Sequence, residues 1–146
     1  MPSSNRCRRG GGPVGVTSSL LLDTHALLWV LLDPDRVPDA TVDRIRDPGT
    51  DLVVSAASAW EIGTKFRLGR LHSAQAVVHG YAEHLRRLRA RELPISSQHA
   101  LTAGSLSWEH RDPFDRMIAA QCMVETLPLV TADRALADFP GVQVVW

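Results

Sequence analysis

Apolar and polar residues alternate along the chain in blocks that have the lengths of strands and helices. Short apolar runs typical of buried strands occupy residues 18–23, 51–56 and 128–130, with weaker candidates at 93–96 and 142–146. Longer segments with helical length or spacing occupy residues 24–33, 38–46, 57–71, 73–93, 97–106, 112–127 and 134–138. Strands that are separated by helices pair in parallel through crossover connections. The pattern therefore predicts a three-layer α/β fold around a parallel sheet.

The length and composition indicate one domain with a short extension. The 146 residues, 45 % of them hydrophobic, suffice for a single domain with a substantial core. We assign this domain to residues 19–146. Residues 1–18 contain Arg6, Arg8 and Arg9, a Gly-Gly-Gly-Pro break and no acidic residue, so we predict a disordered arm or a misassigned start.

Charge and cysteine content exclude several classes of protein. Basic and acidic residues number 16 each, so the net charge identifies no partner. Two cysteines are too few for a disulfide framework or a zinc site, which favours a reducing compartment. The apolar run at residues 20–32 is interrupted by Asp23 and His25, unlike a signal peptide or a membrane span. We therefore expect a cytoplasmic protein without a membrane segment.

Acidic residues follow the predicted strands at the positions where parallel sheets bind ligands. Asp23 ends the first strand, Glu61 lies in the helix after the second strand, and Asp133 follows a later strand. Asp112 and Asp115 lie in the first turn of the helix that precedes this later strand. Ligand sites in open parallel sheets lie beyond the carboxyl ends of the strands. We therefore expect these acids to converge on one edge of the sheet.

A carboxylate cluster of this kind favours divalent-metal chemistry. Like charges a few ångströms apart raise each other's pKa or recruit a cation. Oxygen ligands suit Mg²⁺ or Mn²⁺ better than zinc, and such ions can activate water and stabilise the leaving oxygen of a phosphodiester. No Walker loop or dinucleotide fingerprint competes, because the glycines at residues 10–12 precede a strand rather than follow one.

Four segments together resemble the motif blocks of PIN-domain ribonucleases, most closely the VapC-type toxins of bacterial toxin–antitoxin pairs. The segments are LLLDTHALLW (20–29), SAASAWEIGTKFRLGRL (55–71), HRDPFDRMIAAQ (110–121) and LVTADRAL (129–136). They occur in the family's order, and the resemblance covers residues 19–146. It implies a PIN-like three-layer α/β/α fold with a parallel sheet of about five strands.

The resemblance also implies an activity, a cofactor and partners. The family's acidic quartet falls on Asp23, Glu61, Asp115 and Asp133, which would act as catalytic residues and hold Mg²⁺ or Mn²⁺. The implied activity is that of a metal-dependent endoribonuclease, the toxin of a toxin–antitoxin pair. A small VapB-type antitoxin would block the site, and homodimers are usual in the family.

Further residues are candidates for supporting these four acids or for binding RNA. Thr24, Asp112 and Thr131 are expected beside the acidic quartet, where their oxygens can hydrogen-bond. Contacts to RNA phosphates are expected from Arg116, Lys65 and Arg67. Among the histidines, His110 is the one expected to approach the substrate.

Structural roles and other functions remain open for the same residues. Asp23, Asp112 and Asp133 could each cap a helix, and Glu61 could pair with Lys65 one helical turn later. The main alternative function is a catalytically inert PIN-like scaffold that binds RNA or a partner protein. Another phosphoryl-transfer protein is less favoured, because a dehalogenase-type phosphatase would need an aspartate where His25 stands.

Overall fold

The computed structural model describes residues 18–146, so the predicted arm lies outside the described residues except for Ser18. Ser18 already belongs to the first strand. The strands are β1 (Ser18–Leu22), β2 (Thr50–Ser55), β3 (Ala90–Leu93), β4 (Leu129–Val130) and β5 (Val144–Val145). The helices are α1 (Thr24–Leu32), α2 (Asp39–Arg46), α3 (Ala56–Arg67), α4 (Gln75–His79), α5 (Tyr81–Leu88), α6 (Ser97–Ser105), α7 (Pro113–Glu125) and α8 (Arg134–Asp138).

The five strands form one parallel sheet in the order β3-β2-β1-β4-β5. This confirms the predicted fold class. The chain builds outward from β1 to β3 on one side, then returns to place β4 on the other side of β1. The strand order thus reverses between β1 and β4, and ligands of open α/β sheets bind at the carboxyl ends of strands at such a switch point.

Helices cover both faces of the sheet because its central strand is apolar on both sides. Leu20, Leu21 and Leu22 of β1 are each fully buried. Leu20 and Leu22 face the core cluster that also contains residues of α1, α2, α3 and α5. Leu21 faces the opposite cluster, with residues of α7 and α8. This alternation along one strand produces the three layers.

The prediction of one long helix at residues 73–93, followed by a strand at 93–96, is wrong. A 3₁₀ turn leads into α4 and α5, which are separated at Gly80, and β3 already begins at Ala90. Arg89 ends α5 in the left-handed conformation, with φ 56°. Ala90–Leu93 then pairs with β2, so sheet hydrogen bonding overrides the helical propensity of this arginine-rich segment.

The remaining helices lie close to their predicted positions and are short. Helix α3 spans Ala56–Arg67 and so ends before the predicted end at residue 71, and α7, the longest of the described helices, has 13 residues. Within residues 18–146, no helix has the length and apolar composition needed to cross a membrane.

Candidate functional site

Asp23 connects the centre of the sheet to its carboxyl edge. Its backbone N–H still donates to Val130 O of β4, at 3.0 Å, while the following residue begins α1. Its Oδ1 accepts from the backbone N–H of Thr24 at 2.7 Å, and Oδ2 accepts from the Thr131 hydroxyl at 2.8 Å. Asp23 therefore caps α1, as the structural interpretation predicted. Each oxygen has a second lone pair for another partner.

Thr131 and Asp133 form the turn that leaves β4. Thr131 is buried, and its Oγ1 accepts from the backbone N–H of Asp133 at 3.0 Å while it donates to Asp23. Asp133 Oδ1 accepts from Ala135 N–H at 2.8 Å, so this acid caps α8. The structure thus brings Thr131 beside the acidic quartet, as predicted, and links the ends of β1 and β4.

Asp112 and Asp115 lie at the start of α7, where Pro113 occupies the first helical position. Asp112 Oδ1 accepts from the backbone N–H groups of Phe114 and Asp115, so it caps the helix. Asp115 Oδ2 is hydrogen-bonded to His110 Nε2 at 2.6 Å. His110 therefore contacts a site acid directly, which the sequence did not predict.

Glu61 is buried in α3, with 2 % of its surface exposed. Its Oε2 forms an ion pair with Lys65 one turn later, whereas its Oε1 has no hydrogen-bond partner among the described residues. A purely structural pair would leave this buried oxygen unsatisfied at a cost of about 1–3 kcal/mol. The unpaired oxygen is therefore available to an ion or a water molecule.

Two further polar side chains lie between α1 and α3. Thr24 Oγ1 and Ser58 Oγ are 3.0 Å apart and both residues are buried. Thr24 contacts Asp23 through its backbone N–H, and its hydroxyl bonds to Ser58 instead of a carboxylate. Ser58 was not predicted, although its position three residues before Glu61, on the same helix face, is a signal for it.

Charge interactions connect the acids in pairs, Asp23 with Glu61 and Asp115 with Asp23 and Asp133. Burial raises the pKa of Asp23, and the nearby charge of Glu61 adds to the increase. Burial also raises the pKa of Asp115 to about 6, while His110 opposes the shift and the charges of Asp112, Asp23 and Asp133 contribute to it, that of Asp112 most. The carboxylates of each pair therefore repel each other when they are ionised.

The donor set fits a hard divalent cation. All four acids offer oxygen atoms, Glu61 Oε1 is buried without a partner, and a cation would relieve the mutual repulsion. As the side chains stand, no three His, Cys, Asp or Glu residues within 18–146 are grouped closely enough to hold one ion together. Binding therefore requires side-chain movement within the cluster.

The raised pKa of Asp115 predicts how pH affects the metal-free protein. Because its pKa rises on folding from 3.8 to about 6, the folded state takes up a proton first as the pH falls. Stability should therefore increase as the pH falls from 7 towards 5. At pH 7, Asp115→Asn should stabilise the metal-free protein by about 2 kcal/mol, once the shift is discounted for solvent screening of this partly exposed carboxylate. Urea unfolding in chelator at pH 7 and pH 5 measures this, and an identical pH dependence in the variant would contradict it.

Arg116 holds the loop between α6 and α7. Its Nε donates to Ala103 O at 3.1 Å, and Nη2 donates to Leu106 O at 2.9 Å. Its Nη1 donates to Trp108 O at 2.6 Å and to His110 O at 3.1 Å. These carbonyls occupy most of the N–H donors of the guanidinium, and contact of Arg116 with RNA stays a prediction. Neighbouring helix residues point about 100° apart, so Arg116 faces away from Asp115.

Arg116→Ala should destabilise the protein because it removes several charge-assisted hydrogen bonds at once. We expect a loss of about 2 kcal/mol in the free energy of unfolding, measured by urea denaturation. Arg116→Lys should recover only part of this loss, because an ammonium group cannot reproduce the planar fork. Arg44→Ala, at an exposed position of α2, serves as the control. Equal stability of Arg116→Ala and the control would contradict the structural role.

The other two candidates for RNA contact, Lys65 and Arg67, differ in whether their charge is already paired. Lys65 lies against Glu61 and is bound to it, so in this arrangement its charge is directed towards the site. Arg67 is exposed in the last turn of α3 and forms no ion pair within the described part of the chain. Contact between Arg67 and RNA stays a prediction.

Comparisons with known proteins agree with this architecture. A family model described as the PIN domain matches residues 20–142. No curated protein sequence matches the chain. Among solved structures, VapBC2 from Rickettsia felis bound to a DNA fragment from their promoter has a TM-score of 0.63 at 15 % identity, covering 87 % of this chain and 97 % of that chain.

Two further structures show the same fold. DNA-bound VapBC from Salmonella typhimurium has a TM-score of 0.58 at 20 % identity, covering 88 % of this chain and 97 % of that chain. FitAcB from Neisseria gonorrhoeae has a TM-score of 0.61 at 22 % identity, covering 87 % of this chain and 96 % of that chain. The family match spans nearly the whole described domain and includes every residue of the acidic quartet. The chain belongs to the PIN domain family.

Proposed function

We propose that this protein is a metal-dependent endoribonuclease that acts as the cytoplasmic toxin of a toxin–antitoxin pair. Proteins of the VapC type in the PIN family are generally nucleases, which supports a nuclease activity. The observation that carries the proposal is the buried acidic cluster at the switch point of the sheet. Asp23 and Glu61 are 3 % and 2 % exposed, and Asp115 carries a pKa raised to about 6.

The acidic quartet would hold the ion and orient the reacting groups. Mg²⁺ or Mn²⁺, when bound, would supply positive charge for the phosphate and lower the pKa of water. Asp23 is fixed for this role from both sides, because Thr24 N–H and Thr131 O–H set the positions of its two oxygens. Asp133 and Asp115 approach from the end of β4 and the start of α7.

Glu61 is the acid best placed to hold a water molecule. Its Oε2 is neutralised by Lys65, while Oε1 is an unoccupied buried acceptor. A carboxylate with one free oxygen can accept a proton or a hydrogen bond from water that attacks the phosphate. We assign Glu61 to orienting this water or to holding metal, and Lys65 to fixing Glu61.

The alternative is an inert scaffold that binds RNA without cutting it. One experiment separates the two: chelator-stripped protein is given Mg²⁺ or Mn²⁺ and end-labelled single-stranded or hairpin RNA, with DNA as a second substrate. The nuclease predicts new fragments without 2′,3′-cyclic phosphate ends, because water rather than the 2′-hydroxyl attacks the phosphate. RNA that is retarded by the protein in a native gel but remains uncut would favour the scaffold. Fragments with cyclic phosphate ends would contradict the assigned chemistry.

The proposed partner is a small antitoxin protein that blocks the site. The structural neighbours VapBC2 and VapBC are toxin–antitoxin complexes, each bound to DNA, which supports such a partner for this chain. We also propose a homodimer, as the family resemblance implies. Co-purification of the chain with the product of an adjacent short reading frame, with loss of RNA cleavage in the complex, tests the first assignment.

A further inference from the structure

An open cleft of about 770 Å³ lies beside Asp115, on the loop between α6 and α7. It is lined by Gly104, Trp108, Glu109, His110, Arg111 and Arg116. Cavities of roughly 300–1,000 Å³ accommodate small organic ligands. We propose that this cleft binds one nucleotide of single-stranded RNA next to the bond that is cut. The proposal rests on the proposed nuclease function and names a substrate-binding subsite for it.

The cleft is preformed because one side chain fixes its wall. Arg116 donates to the carbonyls of Leu106, Trp108 and His110, which are every second residue along the loop. Together with its bond to Ala103 O, these contacts tie the loop to the end of α6 and the start of α7. A loop held in this way loses little conformational freedom when a ligand binds, so more of the contact energy remains for affinity.

Aromatic rings lead from the core to the cleft. Phe139 and Trp108 are stacked, with centroids 4.6 Å apart and an interplanar angle of 25°. The His110 ring follows, with its centroid 4.7 Å from that of Trp108 and an angle of 33°. Trp108 and His110 both line the cleft, so a nucleobase there can contact an aromatic ring. Stacking of this kind tolerates any base, which suits a subsite for single-stranded RNA.

The charges at the rim suit a nucleotide better than a free phosphate ion. Arg111 is exposed and forms no ion pair within residues 18–146, so its guanidinium is available to a phosphate. Glu109 lines the same cleft, and its carboxylate repels an isolated anion. The same carboxylate can accept a hydrogen bond from the N–H groups on a base edge. The combination therefore favours a ligand that carries both a base and a phosphate.

The cleft is directly joined to the acidic quartet. His110 lines the cleft, and its Nε2 is 2.6 Å from Asp115 Oδ2. A nucleotide bound against His110 is therefore adjacent to the carboxylates assigned to the reaction.

The test measures binding without catalysis. ¹⁵N-labelled protein in buffer with chelator is titrated separately with guanosine 5′-monophosphate, uridine 5′-monophosphate and inorganic phosphate. Changes in the amide chemical shifts are followed by NMR. The expected shifts lie at residues 104–111 and occur with both nucleotides and not with phosphate. Arg111→Ala should weaken nucleotide binding about tenfold and Arg111→Lys less, whereas Arg44→Ala on the opposite layer should bind like the wild type. Absent shifts, shifts elsewhere, or equal binding of phosphate would overturn the proposal.

A second readout separates this subsite from the nuclease assignment. In RNA cleavage, Arg111→Ala should raise KM about tenfold and leave kcat within twofold, since it removes ground-state binding alone. Asp115→Asn should still bind the nucleotides although its rate of RNA cleavage is strongly reduced. If the wild type cuts no RNA yet binds nucleotides at residues 104–111, the nuclease proposal fails and the cleft stands as a nucleotide-binding site alone. A lower kcat with unchanged KM in Arg111→Ala would contradict the subsite.

Discussion

Asp115→Asn is expected to reduce metal-dependent RNA cleavage by about 10³-fold, because one charged ligand of the proposed ion is lost. Asparagine keeps the shape of the side chain and can still bond with His110, so the fold should persist. The metal-free variant should be the more stable protein at pH 7, since a desolvated charge with a pKa raised to about 6 has been removed. A loss of activity together with a gain in stability is difficult to explain by misfolding.

The matched control is Asp43→Asn, which makes the same chemical change at an exposed position of α2. Its cleavage rate should equal that of the wild type within twofold. The measurement is the single-turnover rate of cleavage of one end-labelled RNA at saturating Mg²⁺. Equal rates for Asp115→Asn and the control would remove Asp115 from the site.

Divalent metal should raise the stability of the wild-type protein substantially. An ion that binds only the folded state at one hundred times its Kd adds about 2.7 kcal/mol to the free energy of unfolding. For a domain of this size, we expect the midpoint of thermal unfolding to rise by about 8 °C. The physical cause is relief of the repulsion among Asp23, Glu61, Asp115 and Asp133.

The stabilisation should require the cluster rather than metal in general. Asp23→Asn should lose most of the shift, because Asp23 lies between the Thr24 and Thr131 donors at the centre of the site. Asp43→Asn should retain it in full. Differential scanning calorimetry in chelator, Mg²⁺ and Mn²⁺ measures the effect. An equal shift in Asp23→Asn would show that the ion binds elsewhere.

Much of the fold follows from the sequence because its strands are strongly patterned. The three leucines before Asp23 are completely buried, as an apolar run at the centre of a parallel sheet should be. The strand β3 was placed too late because Arg91 and Glu92 are exposed at the sheet edge and lack an apolar alternation. Its position is decided by pairing with β2, a long-range interaction that local propensity does not contain.

The candidate site was predictable in its residue types and less so in its contacts. Strand ends and the family resemblance pointed to the acids, and the structure brings Asp115 within the charge influence of Asp23 and Asp133. The hydrogen bond from Thr131 to Asp23 joins residues 108 positions apart, so only the folded sheet reveals it. The structural role of Arg116 was not predicted, because its acceptors are backbone carbonyls that only the folded loop brings together.

The most direct test of the central claim is RNA cleavage by chelator-stripped wild-type protein as Mg²⁺ or Mn²⁺ is added back. We predict no cleavage in chelator, a rate that rises with metal concentration to saturation, and fragments without cyclic phosphate ends. Undiminished cleavage in chelator, or intact RNA at every concentration of both metals, would contradict the assignment of this acidic cluster as a metal-dependent nuclease site.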